Sequence, residues 1–296
     1  MTRNTERFRQ LIARDEILPA MGAYDALSAS LVEQAGGDVV YMSGSAVSTS
    51  THGDPDIGLT TMTEMVDRAR QLVGAVDVPV FCDADTGYGN PLNVRRTVAE
   101  YERAGVAGIH LEDQTFPKKC GHFEGKGVVP TAEMCQKIRA AVDARENDDF
   151  VLIARTDARA VEGIDGALDR LRAYHEAGAD VLFFEAPESR AELERVAGAF
   201  DGVPQLVNMA AGGKTPSVSA AEFEAMGFDI VLYPTTGFRA AAKTLQTVYD
   251  ELVSAGTHEG VEDLLLTWEE RDRITGLAEM MELERTYDAD STPDTH

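Results

Sequence analysis

Eight short apolar segments recur along the chain, and each is followed by a stretch whose apolar positions have helical spacing. The segments cover residues 18–21, 38–42, 78–82, 108–111, 150–154, 180–184, 204–207 and 228–232. Their apolar runs are continuous rather than alternating, which predicts strands covered on both faces, as in a parallel sheet. The stretches between them predict helices over 25–34, 63–73, 92–104, 132–145, 163–176, 190–199, 220–226 and 238–252. Several end in a glycine directly before the next strand, as in Glu176-Ala177-Gly178-Ala179-Asp180 and Ala225-Met226-Gly227-Phe228-Asp229. A helix closed by glycine and followed at once by a strand is a short αβ connection. Eight βα units at this length predict an α/β fold, a single (β/α)8 TIM barrel over residues 1–255. A doubly wound sheet is the alternative, but no Gly-x-Gly-x-x-Gly opens the first unit. A further helical stretch at 261–287, rich in Glu and Leu, exceeds the barrel count. It is read as a C-terminal helical extension over 256–287, with 288–296 an acidic, disordered tail.

Composition narrows the class. The 296 residues are 44% hydrophobic, enough for one large core. No run of eighteen apolar residues exists and no apolar signal region follows the N-terminus, so a soluble, cytoplasmic protein is expected. Cys82, Cys120 and Cys135 are scattered and odd in number, which implies no disulfide framework. The net charge of −24 argues against nucleic acid and anionic membranes as partners. Lysine occurs only at 118, 119, 126, 137, 214 and 243. An acidic, lysine-poor surface suggests a halophilic protein. It also makes the loop at 117–127, with three of those six lysines, a local anion trap.

If the barrel is right, its chemistry lies at the C-terminal ends of the strands. Those ends carry Tyr41, Ser43, Gly44 and Ser45 after the second strand, and Asp83 and Asp85 after the third. Glu112 follows the fourth, Arg155 the fifth, Glu185 the sixth, Asn208 the seventh, and Thr235 the eighth. Asp83, Asp85, Glu112 and, from the loop after the second strand, Asp56 supply hard oxygen ligands that suit Mg2+, or Mn2+, rather than zinc. Asp54 and Asp113 read more simply as capping or solvated loop charges. Asp83 does not, because it ends a buried apolar strand where an unpaired charge is costly. Arg155 invites a carboxylate, from a substrate or from Glu185. Cys82, Cys135 and His110 fall in core-like runs; Cys82 and Cys135 are given no role, and His110 is at most a residue behind the site. Cys120 differs: it lies between Lys118, Lys119 and His122, whose positive charges would favour its thiolate, and the flanking glycines would let the loop move as a lid.

Lys118-Lys119-Cys120-Gly121-His122 resembles the signature of the isocitrate lyase and 2-methylisocitrate lyase family, within the phosphoenolpyruvate mutase superfamily. Asp83-Ala84-Asp85-Thr86-Gly87-Tyr88-Gly89 and His110-Leu111-Glu112-Asp113-Gln114 are similar to its metal strand and the strand before its lid. Tyr41-Met42-Ser43-Gly44, Pro55-Asp56-Ile57-Gly58, Arg155-Thr156-Asp157, Glu185-Ala186, Asn208-Met209 and Tyr233-Pro234 are similar to its other site segments. The resemblance runs from about residue 6 to about residue 285. It implies a Mg2+-dependent lyase acting on a small di- or tricarboxylate, and a homotetramer that exchanges C-terminal helices. In such a retro-aldol cleavage Asp83, Asp85 and Glu112 would hold the metal. Cys120 would be the general acid, tuned by Lys118 and His122. Tyr41, Arg155 and Glu185 join the catalytic set; Ser43, Gly44, Ser45, Asp56, Gly121, Arg155 and Asn208 would bind substrate. Phe183 and Thr235 bear on specificity: Phe183 is similar to the methylisocitrate type, Thr235 to the isocitrate type. Asn208-Met209-Ala210-Ala211-Gly212-Gly213-Lys214-Thr215-Pro216 looks more like dimethylmalate lyases and oxaloacetate hydrolases. The length, without the large insertions of typical isocitrate lyases, favours 2-methylisocitrate. Phosphoenolpyruvate mutases and phosphonopyruvate hydrolases resemble the chain less, because they lack the lid cysteine; a non-catalytic barrel would have lost Cys120 or the Asp83/Asp85 pair.

Overall fold

The computed structural model describes residues 2–119, 121 and 125–287. Eight parallel strands close into a barrel in chain order: β1 (Leu18–Ala23), β2 (Val40–Met42), β3 (Val80–Asp83), β4 (Gly108–Glu112), β5 (Val151–Thr156), β6 (Val181–Phe184), β7 (Gln205–Asn208) and β8 (Ile230–Tyr233). The last strand pairs with the first, Leu18 beside Ile230 and Met21 beside Tyr233. Helices α1 (Thr2–Ile12), α2 (Ala26–Gln34), α3 (Gly44–His52), α4 (Met62–Val73), α5 (Pro91–Arg103) and α6 (Thr131–Ala144) accompany the first half. The second half carries α7 (Arg159–Glu176), α8 (Arg190–Ala197), α9 (Ala220–Met226) and α10 (Thr236–Ala255), then α11 (Trp268–Ile274) and α12 (Leu277–Thr286). This is the (β/α)8 TIM barrel that the sequence predicts, with additional C-terminal helices. No helix among the described residues is long and apolar enough to cross a membrane.

Both faces of the strands are buried, which is why their apolar runs are unbroken. Outward-facing Val40, Cys82, Ile109, Leu152, Leu182 and Val231 pack with helix residues such as Met65, Tyr101 and Tyr174. Inward-facing Leu18, Phe81, Val151, Ile153, Val181, Phe183 and Ile230 fill the barrel. Two elements were not anticipated. Helix α1 adds Phe8 and Ile12 to the inner core, and the Phe8 ring stacks on Phe81 with centroids 5.2 Å apart. The Arg9 guanidinium donates to the carbonyls of Asp148 and Phe150 and to the Asp180 carboxylate, beside the starts of β5 and β6. Helix α1 therefore plugs the N-terminal end of the barrel, leaving the opposite end for chemistry. Truncating a ring as buried as Phe8 costs about 3–5 kcal/mol. The other element is α3, which occupies what the sequence offers as a continuous loop after β2.

The chain divides into two compact units, Met1–Phe238 and Arg239–His296. The first holds the barrel. The second comprises most of α10 with α11 and α12; these helices have no buried side chain, and Val253, Trp268, Met280 and Tyr287 are all exposed. The acidic tail expected at 288–296 lies outside the described residues.

Candidate active site

Side chains on a strand alternate between its faces, so every second residue points into the barrel. Followed towards the C-terminal ends, the inward series turns from apolar to polar on most strands. Phe81 gives way to Asp83 on β3, His110 to Glu112 on β4, and Ile153 to Arg155 on β5 and then Asp157 just past its end. Phe183 gives way to Glu185 after β6, and Leu206 to Asn208 on β7. With Tyr41 of β2 these form one layer across the mouth, each less than one-tenth exposed.

The layer is a network of buried charge. Arg155 grips Asp157 bidentately, Nε to Oδ2 at 2.9 Å and a terminal nitrogen to Oδ1 at 3.1 Å. The same guanidinium lies 3.4 Å from Glu112 and 3.9 Å from Glu185, and 5.2 Å over the Phe183 ring. Burial raises the Asp157 carboxyl, but Arg155 and then Lys126 outweigh it and hold the group at about 2. Glu112 goes the other way: burial pushes it well above the ordinary carboxylate range, with Arg155 opposing. Burial pushes Asp85 up to about 6 despite Lys118, with Asp83 and Asp56 adding to the rise. Burial also raises Asp83, but His110, Lys118 and Arg155 together leave it below its usual value. The Asn208 amide donates to both Glu185 oxygens at 3.2 and 3.3 Å.

His110, fully buried, stands behind Asp83. Its Nε2 is 2.8 Å from the Tyr41 hydroxyl and 3.5 Å from Asp83 Oδ1. Burial lowers the imidazole pKa, which favours a neutral ring that orients Tyr41 and Asp83 rather than a proton carrier. On the other side of Asp83 sits the first turn of α3. Ser43 caps that helix, its Oγ accepting from the Ala46 amide. A Cβ at Gly44 would fall 2.5 Å from Asp83 Oδ2, so only glycine lets the helix start reach the carboxylate. Asp83 Oδ1 accepts from the Asp85 amide at 2.9 Å, and Asp85 itself has φ +47°. Backbone strain of this kind gathers at functional sites.

The lid rises from β4 on a narrow base. Gln114 pairs with Val128, and the Thr115 amide donates to the Gly127 carbonyl. The Gln114 side chain then clamps Lys119, donating to its carbonyl at 2.8 Å and accepting from its amide at 2.9 Å. Three further contacts bring the lid down onto the mouth. Lys118, 4% exposed, places its ammonium against Asp56 and 2.7 Å from Asp85. Lys126 donates to Asp157 at 2.6 Å and to the Gly121 carbonyl. Gly121 lies so close to the charge network that a Cβ there would meet Glu185 Oε1 at 2.3 Å and the Arg155 guanidinium at 2.5 Å. Cys120 and His122, the thiol and imidazole named from the sequence, lie outside the described residues.

Asp83, Asp85, Glu112, Asp56, Lys118, Gly121, Arg155, Glu185, Asn208, Tyr41 and Gly44 are thus brought together. Phe183 forms the floor beneath Arg155, while Ser45 and Thr235 are half-buried at the rim. Asp113 is not the solvated charge its position suggests. Fully buried, it accepts from Thr156, Tyr174 and the Asp157 amide. The sequence does not single out Asp157 or Lys126 for a role of its own; the Arg155-Thr156-Asp157 run and the loop lysines are the signals it offers.

The donor set bears on a metal. Among the described residues no three His, Cys, Asp or Glu side chains are gathered closely enough to cage an ion. Mg2+ does not require that: it keeps several waters and takes only one or two carboxylates. Glu112 Oε1 is buried with no hydrogen-bond partner among the described residues, and its neighbours Asp83 and Asp85 are oxygen donors. The residues fit a hydrated Mg2+.

Comparison with known proteins gives the family. The phosphoenolpyruvate phosphomutase family model matches residues 8–253. The chain is 48% identical over 281 residues to 2,3-dimethylmalate lyase of Eubacterium barkeri, covering 95% of this chain and 97% of that one. It is 44% identical over 270 residues to 2-methylisocitrate lyase of Bacillus subtilis, covering 91% and 88%. Among solved structures, oxaloacetate acetylhydrolase with the inhibitor 3,3-difluorooxalacetate superposes with a TM-score of 0.92 at 35% identity, covering 96% and 97%. Phosphonopyruvate hydrolase with oxalate and Mg2+ superposes at 0.87 and 30% identity, covering 96% and 99%.

Proposed function

This chain belongs to the phosphoenolpyruvate phosphomutase family, and from that premise we propose that it is a Mg2+-dependent carbon–carbon lyase cleaving 2-methylisocitrate to pyruvate and succinate. The observation that carries the reading is the buried layer of Asp83, Asp85 and Glu112 facing Arg155, beneath a lid whose sequence holds a thiol. Asp83, Asp85 and Glu112 would hold the metal, with Asp56 behind them. A Mg2+ ion held there would supply Lewis-acid stabilisation of the charge that develops on the substrate oxygen.

The chain's own groups divide the remaining work. The substrate hydroxyl loses its proton, the C2–C3 bond breaks, and its electron pair stays on C3 beside a carboxylate. Glu185 is the better of the described bases, since burial, reinforced by Asp83, raises the Tyr41 phenol well above its usual pKa and keeps it protonated. Cys120 returns a proton to C3, with Lys118 and His122 tuning it. Arg155, Asn208, the Ser43 hydroxyl and the amides of Gly44, Ser45 and Gly121 hold carboxylates, the Ser43 amide being already given to the Ala23 carbonyl. Lid closure excludes water that would otherwise protonate the carbanion at random. Phe183 shapes the floor, and Thr235 the rim. The exposed apolar side chains of α10, α11 and α12 support a homotetramer built on exchanged C-terminal helices, as the resemblance implies. The composition supports a cytoplasmic protein of saline habit.

A second reading replaces the substrate with 2,3-dimethylmalate, cleaved by the same step to pyruvate and propionate. It is favoured by the 48% identity to that lyase and by the run from Asn208 to Pro216. One missing or extra group in a pocket is worth only about 1–3 kcal/mol, so a few side chains decide. Turnover of 2-methylisocitrate, 2,3-dimethylmalate, isocitrate and oxaloacetate, each with Mg2+ and with chelator, tests both readings. The highest kcat/KM should fall on 2-methylisocitrate, and chelator should abolish it. Preference for 2,3-dimethylmalate would select the second reading, and full activity in metal-stripped protein would overturn both.

A further inference from the structure

A cavity of about 720 Å3 lies beside the barrel mouth, among α4, α5, α6 and the base of the lid. None of the charged residues of the mouth lines it. Its size falls in the range of small-molecule sites.

Four features of its walls point to an acid. Lys137 of α6 is 4% exposed, and its ammonium donates to the Thr86 carbonyl at 3.1 Å. An ammonium carries three donors, so this contact leaves capacity for a ligand. Thr60 is 7% exposed, and its buried hydroxyl has no hydrogen-bond partner among the described residues. Thr61 and Asn90, which cap the N-termini of α4 and α5, both line the cavity, so two helix ends present their positive poles there. Arg96 and Lys137 face a single carboxylate, Glu133, an excess of positive charge in a protein of net charge −24. The rest of the wall is apolar: Phe116 and Leu59 are exposed beside Met62 and Val129.

We infer that this cavity is a second small-molecule site, distinct from the barrel mouth, that takes an organic acid with an apolar body. The carboxylate meets Lys137 and Thr60, and the apolar part covers Phe116 and Leu59. Such a ligand lies against the base of the lid, because Gln114, which clamps Lys119, and Phe116 are both part of the wall.

Calorimetric titration of the full-length protein with 2-naphthoate, in Mg2+ and saturating oxalate to fill the mouth, tests the site. One saturable site per chain is expected, and the neutral 2-naphthamide should not bind. Lys137→Met should weaken 2-naphthoate about tenfold, as loss of a charged hydrogen bond does. Thr60→Val should weaken it about threefold. Arg96→Gln, at an exposed position where folding is not at risk, should also weaken it about threefold. Equal affinity in Thr60→Val and Arg96→Gln would overturn the proposal, as would equal binding of the amide or displacement by oxalate. Binding only after the protein is dissociated into single chains would assign the cavity to a contact between copies and overturn it too.

Discussion

The Lys118 ammonium lies 2.7 Å from Asp85 Oδ1 and also against Asp56, so a lid cation occupies the acids that a metal would use. Burial alone would lower the lysine's pKa, but Asp85 and Asp56 more than reverse this and raise it well above the ordinary value. Ammonium and metal then compete for Asp85. Lys118→Met should tighten Mg2+ binding about tenfold while lowering kcat, since a charge pair at this range is worth more than the 1.4 kcal/mol that factor requires. Calorimetry with Mg2+ in the absence of substrate reads the first effect. Weaker metal binding in the variant would show that Lys118 supports the metal instead of excluding it.

Gly121→Ala tests whether the lid must close this far. The added methyl would meet the Glu185 carboxylate at 2.3 Å and Arg155 at 2.5 Å, both fixed by buried partners. The lid should sit higher, with kcat/KM down about a hundredfold, the scale of a 1 Å misplacement. Thermal stability should hold, because no core contact is lost. Amide exchange over residues 115–127 should be faster than in the wild type. Unchanged exchange with unchanged kcat/KM would mean the lid works in a more open position.

Much of this was legible beforehand, and the exceptions have physical causes. Parallel strands buried on both faces leave unbroken apolar runs, so all eight strands could be read. Polar residues at their ends stood out against those runs. Helix α3 could not be read, because Gly44-Ser45-Ala46-Val47-Ser48-Thr49-Ser50-Thr51-His52 is poor in helix formers and is held by its Ser43 cap and by packing. The plugging role of α1 depends on where Phe8 ends in space, next to Phe81. Asp113 has the composition of a loop charge, yet strand alternation turns it away from the mouth and buries it under α7, against Tyr174 and Thr156. Only the three-dimensional arrangement pairs Lys126 with Asp157, thirty-one positions apart.

Asp157 gives the acid limb of stability. Its folded pKa of about 2 lies below the ordinary value near 3.9, so its charge stabilises the fold fully above about pH 5 and progressively less as pH falls through 4 towards 2. Asp157→Asn should therefore cost on the order of 2–3 kcal/mol at neutral pH, and the gap to wild type should stay flat from pH 8 to about 5. Near pH 3 it should shrink to about half. Denaturant unfolding of both proteins across that range measures it. A gap constant down to pH 3 would mean that the Arg155 and Lys126 pairs do not depend on this charge.

Cys120 carries the most specific chemical expectation. Its loop joins the mouth through Lys118, Gly121 and Lys126. Serine keeps the size and a donor but is a far weaker acid than a thiol. As the proton donor to C3, Cys120 should account for roughly 10²–10⁴-fold of the rate, the usual span for general acid–base catalysis. In Cys120→Ser the loss should fall on kcat with KM nearly unchanged, because Arg155 and Asn208 hold the carboxylates. Cys82 and Cys135 are the controls. Both are buried, Cys82 behind Asp83 and Cys135 with its thiol near the Ala173 carbonyl. Their serine variants should cost stability of about 1–3 kcal/mol and spare the reaction. If Cys120→Ser retained more than about a tenth of wild-type kcat, the thiol would not be the acid. The loop would then serve as a lid alone, and Tyr41, whose phenol keeps its proton and hydrogen-bonds His110, would be the next donor to remove.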